Sequence, residues 1–234
     1  MKLKRNERIG ALIKILCDHP NQIFTLSYFT NKFSAAKSSI SEDIVVAKKM
    51  MDELGLGKIE TISGAAGGVK YIPIVSKEER ENILSTLCEK LSDPSRIIPG
   101  AFIYMADIIY DPMLVKKIGE IFATQFVHEQ IDYVVTVETK GIPIALMTAN
   151  ALHAQLIILR RDSKVTEGSS VSINYVSGTT GKIERMSVSK RAIRNGANVL
   201  LIDDFMKGGG TAKGMIDIMK EFDAQVKGIG VMIA

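Results

Sequence analysis

With 234 residues, 46% apolar and 24% charged, the chain can bury a globular core in one large domain or two small ones. No run of eighteen uncharged apolar residues occurs, which excludes a membrane-spanning helix, and the faintly signal-like IGALIKILC is interrupted by Lys14 and follows helical spacing. Residues 1–75 carry 11 Lys and Arg against 7 Asp and Glu, while residues 76–234 carry 19 of each, so the surplus of +4 lies wholly in the first third and suggests an acidic partner there.

Cys17 and Cys88 fall at apolar helix positions, which reads as buried thiols in a reducing, cytoplasmic setting. His19, His128 and His153 share no metal-ligand spacing with each other or with the cysteines, so no metal cluster is expected.

Ile9, Leu12, Ile13 and Leu16 form one apolar stripe and predict a first helix over residues 6–17. Asp18-His19-Pro20-Asn21 ends it, because proline drives the residue before it out of helical geometry. Thr25 is the expected N-cap of a short second helix with Leu26, Phe29 and Phe33 inward. After SAAKSS, Ser39-Ile40-Ser41-Glu42 has the form of a capping box opening a third helix that runs to Leu54, where Gly55 and Gly57 stop it. KIETIS and VKYIPI then flank a GAAGG tip as a β-hairpin.

Three helices and a hairpin are the parts of a winged helix-turn-helix domain, expected over residues 1–75. In such a domain the third helix lies in the major groove of double-stranded DNA. Lys37, Ser38, Ser39 and Ser41 at its N-terminal end are therefore the candidate contacts to base edges and phosphates. Lys2, Lys4, Arg5 and Arg8 are candidate phosphate contacts, supplying the salt-dependent part of affinity. Small three-helix modules also dock proteins; the charge surplus favours DNA.

Residues 76–92 read as a further helix, with a capping box at Ser76 and Glu79 and apolar Ile83, Leu84, Leu87 and Leu91. It opens a second domain, residues 76–234. After the break DPSRIIPG, AFIYMADII reads as a first strand with Tyr104 at its end, and Asp111-Pro112 opens a helix to about His128. DYVVTVE, QLIILR, NVLLIDD and VKGIGVMI read as strands; GIPIALMTANALH and TAKGMIDIMKEF read as helices. Apolar strands alternating with helices predict an α/β domain, a parallel sheet covered on both faces. Ligands of such sheets bind at the carboxyl ends of the strands.

Two strand-to-helix loops carry chemistry there. In IDDFMKGGGT, Asp203 and Asp204 emerge from a strand end, where paired carboxylates can accept hydrogen bonds from vicinal hydroxyls or orient a divalent cation. Lys207, Gly208, Gly209, Gly210 and Thr211 follow, a cation, bare backbone amides and a hydroxyl at a helix N-terminus, which suits a phosphate. A sugar phosphate fits that order, acids on the diol and amides on the 5'-phosphate. The spacing is not that of a Walker P-loop. The second loop, Glu138-Thr139-Lys140-Gly141-Ile142-Pro143, offers Lys140 and neighbouring amides to another phosphate group.

VLLIDDFMKGGGTAKG resembles the phosphoribosyl pyrophosphate signature of type I phosphoribosyltransferases, and VETKGIPIA resembles their pyrophosphate loop. The resemblance covers residues 97–234. Joined to a winged helix, it makes the chain similar to the purine operon repressors of Gram-positive bacteria. The resemblance implies that Asp203 and Asp204 bind ribose hydroxyls, that Lys207 through Thr211 hold the 5'-phosphate, and that Thr139, Lys140 and Gly141 hold the pyrophosphate. It implies that the polar stretch beginning at Arg160 and Arg161 is a flexible loop covering the ligand, which Tyr104 also approaches. Phosphoribosyl pyrophosphate is then the effector, with Mg2+ admitted alongside it. Purine gene operators are the DNA partner, in complex with a homodimer, and a guanosine tetraphosphate alarmone is a candidate competitor for the same loops.

Turnover needs more than binding, because only interactions stronger in the transition state accelerate chemistry. The enzymes usually have a small residue and then threonine where this chain has Lys207-Gly208. A fixed cation there tightens resting anion binding, which by itself accelerates nothing. The given sequence stops at Ala234 in an apolar strand, which reads either as lacking a segment for a base-recognising hood or as a chain cut short there. A sensor without transferase activity is the expectation, and an active purine phosphoribosyltransferase with an appended DNA-binding domain is the alternative.

Overall fold

The structure is a computed structural model that describes residues 3–64, 67–100, 102–162, 168–177 and 181–234. Three helices open it: α1 (Arg5–Asp18), α2 (Leu26–Phe33) and α3 (Lys37–Glu53). Leu12 and Leu16 of α1, Phe29 and Phe33 of α2, and Ile40, Ile44, Ala47 and Met51 of α3 are buried together. Each large apolar side chain buried this way contributes about 1.5–3 kcal/mol. The Thr25 side chain accepts a hydrogen bond from the Tyr28 amide, as an N-cap should.

The expected capping box at Ser39 does not form. Helix α3 begins three residues earlier, after Ala36, whose carbonyl accepts from the Ile40 amide at 3.1 Å. Nothing in Lys37-Ser38 resists helical geometry, and the Ile40–Ile44–Ala47–Met51 stripe propagates backwards through them.

Strands β1 (Lys58–Ile62) and β2 (Gly68–Ile72) pair antiparallel as the wing. Val69 and Phe24 exchange backbone hydrogen bonds of 2.9 and 2.8 Å, which fastens the wing to the segment before α2. A side chain at Gly68 would sit 2.2 Å from the Phe24 carbonyl oxygen, so only glycine permits that approach.

Helix α4 (Lys77–Leu91) follows, with the Ser76 hydroxyl accepting from the Glu79 amide at 3.1 Å. Of its expected apolar stripe only Leu87 is buried; Leu84 and Cys88 are exposed. The segment AFIYMADII is not a strand of the main sheet. Only Phe102–Ile103 (β4) is extended, pairing with Ile97–Ile98 (β3), and Ala106–Ile109 is a short helix, α5. Met105, Ile108 and Ile109 are buried at helical spacing, and the Arg96 guanidinium holds Asp107 at 2.8 and 2.7 Å, which favours the turn over an extended run.

The remaining elements are α6 (Pro112–Gln125), β5 (Tyr133–Val137), α7 (Ile142–Leu152), β6 (Gln155–Leu159), β7 (Ser170–Val176), β8 (Ile183–Ser189), β9 (Asn198–Phe205), α8 (Gly210–Lys220) and β10 (Gln225–Ile233). Four strands form a parallel sheet in the order β10-β9-β5-β6. Val134, Leu200 and Ile202 face α6 and α7, while Val135, Val137, Val199 and Leu201 face α8. The sheet is therefore covered on both sides, in the fold expected of the second domain.

The polar stretch after Arg160, expected as a loop, contains two paired strands. Residues 170–176 and 183–189 form an antiparallel hairpin, with Tyr175 and Met186 buried against α8. Residues 163–167 and 178–180 of that stretch, and the wing-tip residues 65 and 66, lie outside the described residues.

Candidate functional site

The sheet opens where the ligand loops begin. Pairing between β5 and β9 stops at Val135↔Leu201, yet β5 continues against β6 to Val137 and β9 continues against β10 to Phe205. The carboxyl ends of the two central strands thus splay apart into a crevice. Gly141 fills its floor. A Cβ there would lie 2.4 Å from Thr136 Oγ1 and 3.3 Å from Asp203 Oδ1, so the loop after β5 touches the Asp203 acid of β9 only because residue 141 is glycine. The peptide joining Glu138 to Thr139 is cis.

Asp203 is buried, and Asp204 is half-buried beside it. The Asp204 amide donates to Asp203 Oδ1 at 3.0 Å. Burial, and then the neighbouring Asp204 charge, push the Asp203 carboxyl up to about 7. Hydroxyl donors or a cation arriving there would relieve that cost. No group of three His, Cys, Asp or Glu able to hold a metal ion occurs among the described residues.

Asp203, Lys207, Gly208, Gly209, Gly210 and Thr211 line one small concavity. Gly209 caps α8 with φ +71°, a conformation that favours glycine, and its carbonyl accepts from the Lys213 amide at 2.8 Å. The first amides of a helix have no partner within it, so those of α8 are donors for an anion. Thr139 and Lys140 are exposed on the facing loop.

Arg160 and Arg161 converge on that loop from the end of β6. Arg160 Nη1 lies 3.6 Å from Glu138 Oε2, and the Arg161 amide donates to Glu138 Oε1 at 2.8 Å. Tyr104 is not brought into the group lining the concavity; it is exposed beside β4, its amide donating to the Arg96 carbonyl. Glu138, Tyr175 and Glu184 went unassigned in the sequence. The alternation in SVSINYV and IERMSVS was the available signal for the last two.

The DNA-facing candidates divide. Lys37, Ser38 and Ser41 are exposed along α3 and Ser39 is half-buried, with Ser41 Oγ donating to the Lys37 carbonyl. Lys4 is exposed at the start of α1, and Lys2 lies outside the described residues. Arg8 is corrected: its Nε and Nη2 bind both oxygens of Asp43, at 2.8 and 3.3 Å, and Asp43 is fully buried. A buried carboxylate needs a paired cation, so Arg8 serves the core. Arg5 is exposed but lies 3.6 Å from Asp43 and 3.8 Å from Glu42. Val45 was overlooked. It is 67% exposed on the α3 face that carries Ser38 and Ser41, an apolar side chain with no core to fill.

Residues 4–73 match the family described as "Bacterial purine repressor, N-terminal", and residues 105–234 match "Phosphoribosyl transferase domain". The chain is 47% identical to the purine biosynthesis transcriptional repressor PurR of Bacillus subtilis over all of its own length and 82% of the relative's. It is 42% identical to the purine biosynthesis transcriptional activator PurR of Lactococcus lactis subsp. lactis, over 99% of this chain and 85% of that one. Adenine phosphoribosyltransferase of Saccharomyces cerevisiae shares the fold, with TM-score 0.57 and 22% identity over 65% of this chain and 89% of that one.

Proposed function

The chain belongs to the bacterial purine repressor family, in which a repressor N-terminal domain is joined to a phosphoribosyltransferase domain, and from that premise we propose a DNA-binding regulator of purine biosynthesis genes that senses phosphoribosyl pyrophosphate without turning it over. Residues 1–75 contact operator DNA and residues 76–234 hold the effector, both in the cytoplasm. One observation carries the effector reading: Gly141 brings the Thr139–Gly141 loop against Asp203, in the crevice where α8 presents its N-terminal amides. Two phosphate-binding elements on either side of an acid pair match a ribose bearing phosphates at both ends.

Lys207 stands exposed at the phosphate loop, a standing positive charge that favours retention of an anion over its release. The DNA reading rests on the exposed α3 face and the positive balance of the first third. A homodimer supplies the two half-sites that specificity in a genome requires. Ile97, Ile98, Phe102, Tyr110 and Met113 are all exposed between β3 and α6, an apolar surface suited to a second copy.

Isothermal titration with phosphoribosyl pyrophosphate in magnesium buffer tests the sensor, and a base-transfer assay with adenine and xanthine tests turnover. Tight binding with no nucleotide formed is the expected pair of results. Product formation would convert the reading to that of an enzyme. Guanosine tetraphosphate, which also bears phosphate groups at two positions of one ribose, is expected to compete in the same titration.

A further inference from the structure

A path of contacts joins the two phosphate-binding elements through the hairpin that lies beside them. Tyr175 of β7 packs in one buried cluster with Ala212 and Met215 of α8, the helix whose first turn carries Thr211. Tyr175 donates in turn to Glu184 Oε2 on β8 at 2.9 Å. The same Glu184 oxygen lies 3.7 Å from Arg161 Nη2, and the Arg161 amide donates to Glu138 Oε1 at 2.8 Å, immediately before Thr139. The backbone runs in parallel with this path: Arg160 and Ser187 exchange hydrogen bonds of 2.9 and 2.7 Å, fastening β8 to the end of β6. At the other end Gly214 of α8 fits against Tyr175, where a Cβ would lie 3.0 Å from the tyrosine Cβ.

From this path we infer that Tyr175 and Glu184 are positioning residues that couple occupancy of the Gly208–Thr211 loop to occupancy of the Thr139–Gly141 loop. The inference rests on the reading of both loops as phosphate sites. Its physical basis is shared ordering. An anion on Thr211 fixes α8 and, through Tyr175 and Glu184, the hairpin and Arg161. A second anion beside Glu138 then meets an arginine already held, and loses less conformational freedom on binding. Reciprocity requires the same gain in the opposite order of addition.

Tyr175 keeps its ring in the core if only the hydroxyl is removed, so Tyr175→Phe tests the link without opening a cavity. Glu184→Gln, on the half-buried side of the hairpin, is the second variant. The full chain is titrated calorimetrically with inorganic pyrophosphate in magnesium buffer, with and without saturating ribose 5-phosphate. In the parent, ribose 5-phosphate is expected to tighten pyrophosphate binding by about fivefold or more. In either variant the enhancement should fall below about twofold, although each probe alone still binds. The same enhancement in parent and both variants, or none in the parent, would overturn the coupling while leaving the phosphate loops in place. Failure of both probes to bind the parent would overturn the loop reading and the coupling together.

Discussion

The Asn21 side chain donates a hydrogen bond of 2.7 Å to the carbonyl of Ala151, across 130 positions of sequence. Asn21 lies in the turn between α1 and α2, and Ala151 in the last turn of α7. The other end of α7 is the Gly141 loop, so one helix of 11 residues, about 16 Å long, runs from the effector crevice to the winged domain. Thr124 of α6 adds a second tie, accepting from the Val75 amide at 3.3 Å. Movement of the loop on ligand binding would be delivered by α7 to the base of the DNA-binding domain.

Asn21→Ala should therefore weaken the response of DNA binding to effector while leaving effector affinity within about twofold. Loss of one hydrogen bond costs about 0.5–1.5 kcal/mol, so the variant should remain folded. Paired calorimetry and gel shifts read both quantities. An undiminished response would place the transmission elsewhere.

Arg8 and Lys37 should behave oppositely. Arg8→Ala leaves the buried Asp43 only the more distant and exposed Arg5, which costs up to about 3–5 kcal/mol of stability in urea unfolding. Lys37→Ala should change stability by less than about 0.5 kcal/mol and lower the salt slope of DNA binding by about one. A stable Arg8→Ala protein with a reduced salt slope would return Arg8 to the DNA surface.

Asp203 sets a pH dependence of definite sign. Its carboxyl is held up to about 7 in the fold, above its unfolded value, so folding favours the protonated form. That contribution is fully present below the unfolded value, about 3.9, and is lost as pH rises through about 7. Asp203→Asn removes it and should be more stable than the parent at pH 8 by about 1–3 kcal/mol. The same substitution should weaken binding of the phosphoribosyl ligand, since it deletes an acceptor for a hydroxyl. Urea unfolding at pH 5 and pH 8 checks the first claim. Parallel pH profiles for parent and variant would contradict it.

Val45 offers an exposed methyl-bearing surface on α3 that would meet thymine methyl groups if that helix enters the major groove. Val45→Ala should weaken binding to a selected operator by about 1 kcal/mol, roughly fivefold. Replacing thymines singly by deoxyuridine should reproduce that loss at one position in the parent and have no effect there in the variant. If Val45→Ala reads every site as the parent does, the residue faces something other than bases.

Elements with a long, regular pattern were legible from residues alone. The helices α1, α2, α6 and α7 and the strands β5, β6, β9 and β10 follow from apolar periodicity, and Thr25 and Asp111 do cap their helices. Local patterns that needed tertiary contacts to decide them were not legible. Ser39 could cap a helix, but the burial of Ile40 and Ile44 carried α3 past it. AFIYMADII could extend, but the Arg96–Asp107 pair turned it into α5. The chemistry of the crevice showed in Asp203 and the glycines, whereas Glu138, Tyr175 and Glu184 matter through contacts made across the hairpin. Arg8 illustrates the limit best: a basic N-terminus announces charge, and only the fold reveals that Asp43 already claims it.

A DNA titration at fixed salt, with phosphoribosyl pyrophosphate raised stepwise, tests the central claim most directly. On the proposed reading the effector would bring phosphate charge into loops holding Lys140, Lys207, Arg160 and Arg161, lower the positive potential there and order the hairpin. A differential affinity of about 1.4 kcal/mol between the two states already gives a tenfold shift. Operator affinity should fall at least tenfold as the effector saturates, with the midpoint at the calorimetric Kd. Operator affinity that stays flat while calorimetry shows the effector bound would mean that the two domains are uncoupled, and the chain would not be a sensor.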